Sequence, residues 1–211
     1  MSILASIRPD SSTGIDTYID ADAPSTNYGS SDRMITSEST ATKFLLKFDL
    51  SGLDDGIYYG NANLKLRALS GDASGSATWT AYAILSGNAG WTENGATWNK
   101  IDGSSDWAGS AGCSTPGTDH STSQIGSGEA QTAGISTILI NGATINDWVQ
   151  SPSTNYGLVI FTTTGYQGNM GSCEFATESF RPELEILSPE NVSRRTFGSI
   201  GTRAGSRSGR Q

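Results

Sequence analysis

One histidine, two cysteines and a charged fraction of only 16% in 211 residues remove several kinds of chemistry before any motif is sought. With His120 as the sole imidazole, a His-rich zinc centre is excluded. Any Ser-His-Asp relay has to run through that residue, which sits between Asp119 and Ser121 in a Gly/Ser/Thr-rich stretch. Cys113 and Cys173 stand alone, in no C-x-x-C pair, and read as reduced core or loop residues rather than redox or metal centres. There is no Gly-x-Ser-x-Gly elbow, and none of the lysines follows a glycine, so neither a hydrolase nucleophile turn nor a phosphate-binding loop is present. No apolar run approaches the roughly 18 residues that span a bilayer. The start, MSILASIRPD, has no basic region ahead of its short apolar stretch, which predicts no signal peptide and synthesis in a cytoplasm. The residues predict no enzyme and no cofactor.

The scarce charge is unevenly placed. Residues 1–190 carry 8 basic against 21 acidic side chains, a balance of −13, whereas residues 191–211 carry five arginines and no acid. The boundary predicts two units: a folded domain over 1–190 and an arginine-rich C-terminal arm over 191–211. A −13 surface repels phosphate, so nucleic acid is disfavoured as a partner of the domain. The same repulsion disfavours polyuronate glycans and spares neutral ones.

What the chain does have is Ser, Thr, Asn and 26 glycines, a composition suited to strands joined by many turns. Period-two patterning predicts strands at 16–20, 42–49, 63–68, 77–84, 135–140, 158–162, 173–176 and 184–187. In Asn63–Ala68, Leu64, Leu66 and Ala68 face one way while Lys65 and Arg67 face the other. Only 143–150 reads as helical, with Ile145, Trp148 and Val149 on one face. About ten strands and one short helix predict an all-β, jelly-roll-type β-sandwich, with Trp79 and Trp148 in its core.

Several short motifs fall in the order of a known family. They are Asp16-Thr-Tyr-Ile-Asp20, Asn27-Tyr-Gly29, Phe44 to Asp49 with Leu53, Ala62 to Leu66, Trp91-Thr-Glu-Asn-Gly-Ala-Thr-Trp-Asn99, Trp148 followed by Asn155-Tyr-Gly-Leu158, and Phe175 to Glu178 before Arg181-Pro-Glu-Leu184. Over residues 10–187 the chain resembles DNRLRE-type domains. That resemblance implies a β-sandwich related to carbohydrate-binding modules, some of which bind alginate-like polyuronates within secreted proteins. It also implies a kinship with bacteriophage structural proteins.

Two functions of different kinds follow. The first is a virion structural protein, a bacteriophage capsid decoration or stabilising subunit on the virion surface. It would form homo-oligomeric assemblies with other capsid proteins and dock through Arg194, Arg195, Phe197, Ile200, Arg203, Arg207 and Arg210. The second is a carbohydrate-binding module that adheres to glycans through Trp91, Glu93, Trp98, Trp107, Tyr28 and Tyr156. Each of these residues also has a structural reading. Trp91 and Trp98 can pin a long loop to the core, and the repeated PSTNYG of 24–29 and 152–157 can be one turn solution used twice, its Gly supplying a positive φ and its Tyr a packing ring. Trp107, amid Gly and Ser, is the expected exposed aromatic. Asp54-Asp55 and Asp20 with Asp22 read as solvated turn residues, with calcium at Asp16, Asp20 or Asp22 as the other option.

Overall fold

A computed structural model describes residues 1–37, 41–69, 73–162 and 165–189. The arm residues from Arg194 to Arg210 that were expected to dock lie outside the described residues.

Twelve strands alternate with turns: β1 (Ile3–Ile7), β2 (Ile15–Asp20), β3 (Arg33–Thr36), β4 (Thr42–Lys47), β5 (Ala62–Ala68), β6 (Ser74–Gly75), β7 (Thr78–Ala83), β8 (Gly126–Glu129), β9 (Gly134–Ile140), β10 (Leu158–Phe161), β11 (Tyr166–Gly171) and β12 (Glu183–Leu187). Among the described residues one α-helix, α1 (Gly142–Gln150), lies between β9 and β10. All pairings are antiparallel, in the order β1-β12-β5-β9-β8-β7-β10-β4-β2, with β11 joining β3, β5 and β6 at the side. The sheet curls, so that the faces of its two ends meet in a sandwich-like all-β fold. The main core lies between them and draws Leu64 and Leu66 from β5, Ile138 and Ile140 from β9, Leu184 and Ile186 from β12, Trp79 from β7, Phe44 and Leu46 from β4, and Leu158 and Ile160 from β10. Burial of these side chains is the main driving force of the fold.

The two ends of the sheet differ on their outer faces. In β5, buried and partly exposed residues alternate without a break, as the sequence predicts. In β2, β4 and β10 the alternation is lost, because Ile19, Leu45 and Val159 point outward and are nonetheless buried. The segment 84–125 between β7 and β8, which contains no strand, is laid over that face and contributes Ile84, Trp91, Ala96, Ile101, Trp107 and Cys113 to a second apolar cluster. Strands wet on one side alternate; strands covered on both sides read as continuous apolar runs such as LVIF.

α1 starts at Asn141, whose side chain accepts from the Thr144 amide at 2.9 Å, and it buries Ile145, Trp148 and Val149. Inside the helix Asn146 is turned to the strand side, accepting from Tyr59 N at 2.9 Å and donating to Tyr59 O at 2.8 Å.

The strand expected at 173–176 is not one. Phe175 N donates to Ser172 O and Glu174 N to the Ser172 hydroxyl, which closes a turn. The strand lies just upstream, as Tyr166–Gly171, where glycines hide the pattern. β1, β3, β6 and β8 also lie outside the expected strands; three of the four are short, and β8 (GSGE) has no large apolar residue.

Candidate functional site

The residues expected to meet a ligand are mostly engaged in holding the 84–125 segment down. Trp107 is corrected first: its ring is 4% exposed, and its Nε1 donates to Thr97 O at 3.1 Å. Trp91 is buried as well, donating to Tyr156 O at 2.7 Å. Neither ring offers a face to a sugar, because both supply the apolar mass that anchors a glycine-rich segment otherwise short of side chains. Trp98 is half-buried, with the Lys43 ammonium 5.2 Å from its ring centre and Gly112 against its six-membered ring. Tyr28 stacks on Tyr18 at 4.0 Å and 17°, and Tyr156 packs against the second cluster. The packing reading therefore accounts for all five aromatic rings.

The two PSTNYG copies use one device. Asn27 donates to Glu93 O and Ala96 O at 2.7 and 2.8 Å and accepts from Gly29 N. Asn155 donates to Phe48 O at 2.9 Å and accepts from Gly157 N. Only Gly157 has the expected positive φ, at +88°. Gly29 is needed for a different reason: a Cβ there would run into the Glu93 backbone.

Among the described residues Asp119 and His120 form no catalytic relay. The Asp119 carboxylate is taken up by Gly109 N, Ser110 N, Thr115 N and Asn88 Nδ2, from which it accepts at 2.7 to 3.1 Å. Burial alone would raise its pKa, but the four donors outweigh it and the net shift is downward. The His120 ring sits between Tyr82 and Phe161, with Nδ1 2.8 Å from Ser121 O. Asp20 and Asp54 accept from the amides two residues ahead, which is the turn role expected of them.

One group of chemistry-bearing residues does converge, and it includes Glu93. Asp16 at the start of β2, Glu93 in the 84–125 segment, and Cys173 with Glu174 after β11 bring one donor atom each to within 4.8 Å of one another. Asp16 N donates to Glu93 Oε1 and Cys173 N to Asp16 Oδ2, both at 2.9 Å. The Cys173 thiol is 3.3 Å from Glu174 Oε1 and 3.7 Å from Glu93 Oε1. Burial, then the charges of Glu174 and Glu93, push Asp16 up to about 8; burial also raises Glu93 and Cys173. Glu93 thus points into this cluster rather than out toward a sugar.

An open surface lies elsewhere, at the turn before β5. Tyr58 is 64% exposed, the one exposed aromatic among the described residues. Beside it runs a groove of about 480 Å³ lined by Tyr59, Gly60, Asn61, Asn141 and Gly142. Asn61 Oδ1 accepts from Gly142 N at 2.9 Å, which turns its amide group to the remaining side.

Residues 10–120 match the sequence model of carbohydrate-binding module family 96. The chain belongs to that family. In this family 96 module the matched stretch runs from the turn before β2 to His120, so it includes Asp16, Glu93 and both the pinned tryptophans and Tyr58. No curated protein matches the chain. The kinship to carbohydrate-binding modules that the DNRLRE-type resemblance implied is thereby supported, and binding rather than catalysis is what the family's description states. Sequence reasoning passed over Tyr58 and Glu174 and read Cys173 as a reduced core or loop residue. Tyr58 stands in a Tyr-Tyr pair that could have signalled one buried and one exposed ring.

Proposed function

We propose that this family 96 module is a non-catalytic glycan-binding domain that seats a neutral sugar chain along the Tyr58 groove. The observation that carries the placement is the exposed Tyr58 ring beside a groove wide enough for a sugar unit, with the Asn61 amide at its wall. An aromatic face stacks on the C–H side of a pyranose, and an amide matches its hydroxyls. The balance of −13 over residues 1–190 supports a neutral chain over a polyuronate, which would have to approach against like charge. The finer DNRLRE-type kinship is part of this proposal. The virion-subunit expectation draws on the arm beyond the described residues and is not carried further.

A glycan array with the full chain, followed by calorimetry on the best neutral oligosaccharide, tests the reading. Tyr58→Ala should weaken binding at least tenfold, roughly 1.4 kcal/mol, while leaving thermal stability unchanged. Silence on neutral glycans, or equal binding by the variant, ends the Tyr58 placement; binding confined to polyuronates ends the charge argument.

A further inference from the structure

The cluster of Asp16, Glu93, Cys173 and Glu174 is unusual for what it lacks. Asp16 is 3% exposed, and its Oδ1 has no hydrogen-bond partner; Glu174 Oε2 is likewise buried and unpartnered. Buried carboxylate oxygens without donors carry a full desolvation cost. Among the described residues no lysine or arginine is ion-paired with the cluster: the ion pairs join Arg8, Arg33, Lys65 and Lys100 to other acids. Gly14 keeps the preceding turn close enough that any side chain there would strike the Cys173 thiol. The backbone is therefore shaped around a group of acids that no cation among the described residues neutralises.

We propose that these four residues form a structural site for a divalent transition-metal ion of the Zn²⁺ kind. Around a tetrahedral ion with bonds of about 2.0 to 2.3 Å, donor atoms stand about 3.3 to 3.7 Å apart. The Cys173 sulfur already holds that spacing to Glu174 Oε1 and Glu93 Oε1, at 3.3 and 3.7 Å. The mixture of one thiolate and three carboxylates selects a borderline ion; Ca²⁺ takes oxygen and would leave the central sulfur unused. The total ligand charge equals that of a four-cysteine zinc site, so it is within what such ions accept. Glu93 and Glu174 are only partly buried, which leaves a way in for the ion. Bound there, it would tie β2, the 84–125 segment and the turn after β11 together. The site is independent of glycan binding.

The test uses the full chain freed of metal with a chelator. Zn²⁺ should bind one per chain by calorimetry and raise the melting temperature by several degrees, and Co²⁺ should give the near-ultraviolet thiolate-to-cobalt absorption. Cys173→Ser should lose that absorption and bind Zn²⁺ at least tenfold more weakly, whereas Cys113→Ser, outside the cluster, should keep both. Because the cobalt band and the Cys113→Ser control report on ligation in folded protein, the proposal stays testable if Cys173→Ser does not fold. It is overturned by no stoichiometric Zn²⁺ binding, by a missing cobalt band, by Zn²⁺ binding that Cys173→Ser leaves intact, or by a stabilisation that Ca²⁺ reproduces.

Discussion

Asp119 and Asp16 are both buried aspartates, both touch the 84–125 segment or its neighbours, and they have opposite fates. Asp119 receives four donors within 3.1 Å, three of them backbone amides, and is held ionised. Asp16 receives one amide on Oδ2, none on Oδ1, and faces Glu93, Glu174 and the Cys173 thiol. The first is an organising centre that a loop has wrapped around; the second is an acid for which no described residue supplies a counterpart. Both side chains are closed to solvent, but Asp16 lies deeper and faces two further carboxylates, so burial and like charge push it up where the donors around Asp119 pull down.

The comparison breaks hardest at Asp119. Asp119→Ala removes the shared acceptor of the Gly109, Ser110 and Thr115 amides and of Asn88 Nδ2; a hydrogen bond to a charged group contributes about 1.5 to 3 kcal/mol, and with water replacing part of the bonds at the exposed Gly109 and Ser110 the loss of all four should come to about 4 kcal/mol. Urea unfolding of the variant should show a loss of that order with the second apolar cluster loosened; a change below about 1 kcal/mol would mean that the loop holds itself.

Next comes pH. The folded-state pKa of Asp16 lies above its unfolded value, so its contribution is full below about 4 and is lost as pH rises through about 8. Chelator-treated protein should lose stability across that window at up to about 1.4 kcal/mol per pH unit. Asp16→Asn, which keeps an oxygen for Cys173 N but no charge, should flatten the decline. A wild-type profile already flat from pH 4 to 8 would show that the cluster is not strained.

The strands were legible in the sequence at both ends of the sheet, β2, β4 and β10 included; the covered outer face of one end was not. β5 and β9 expose one face, and their period of two is written in residues such as Leu64, Lys65 and Leu66. α1 was read to within one residue, because three apolar side chains mark its single buried face. The outer face of β2, β4 and β10 is covered by a segment with no period of its own, so the burial of Trp107 among Gly and Ser could not be seen locally. The acidic cluster joins residues up to 158 positions apart, Asp16 with Glu174. Only a contact across the fold reveals that Glu93 of the Trp91–Asn99 motif meets Cys173 and Glu174, although Asp16 had already stood out as a candidate ligand.

The smallest expected effect belongs to Lys43, the cation on the Asp119 side of the comparison. Its Nζ donates to Gly112 O at 2.5 Å and to the Ser114 hydroxyl at 2.8 Å, beneath the Trp98 and Phe161 rings. Burial lowers its pKa to about 8, against the smaller pull of the Cys113 and Asp119 charges; His120 is the other titrating group nearby. A lysine whose folded pKa is depressed adds stability as pH rises from about 8 to about 10.5, the reverse of Asp16. Metal-free protein should therefore be least stable near pH 8, with a gain of about 1 to 2 kcal/mol toward pH 10. Lys43→Met keeps the contact with the two rings, exchanges one hydrogen-bonded charge for a methyl, and at pH 7 should change stability by no more than about 1 kcal/mol. It should erase the rising limb while leaving the falling one. If both limbs vanish together in that variant, the two aspartate environments are coupled through the 84–125 segment and cannot be treated as separate regions.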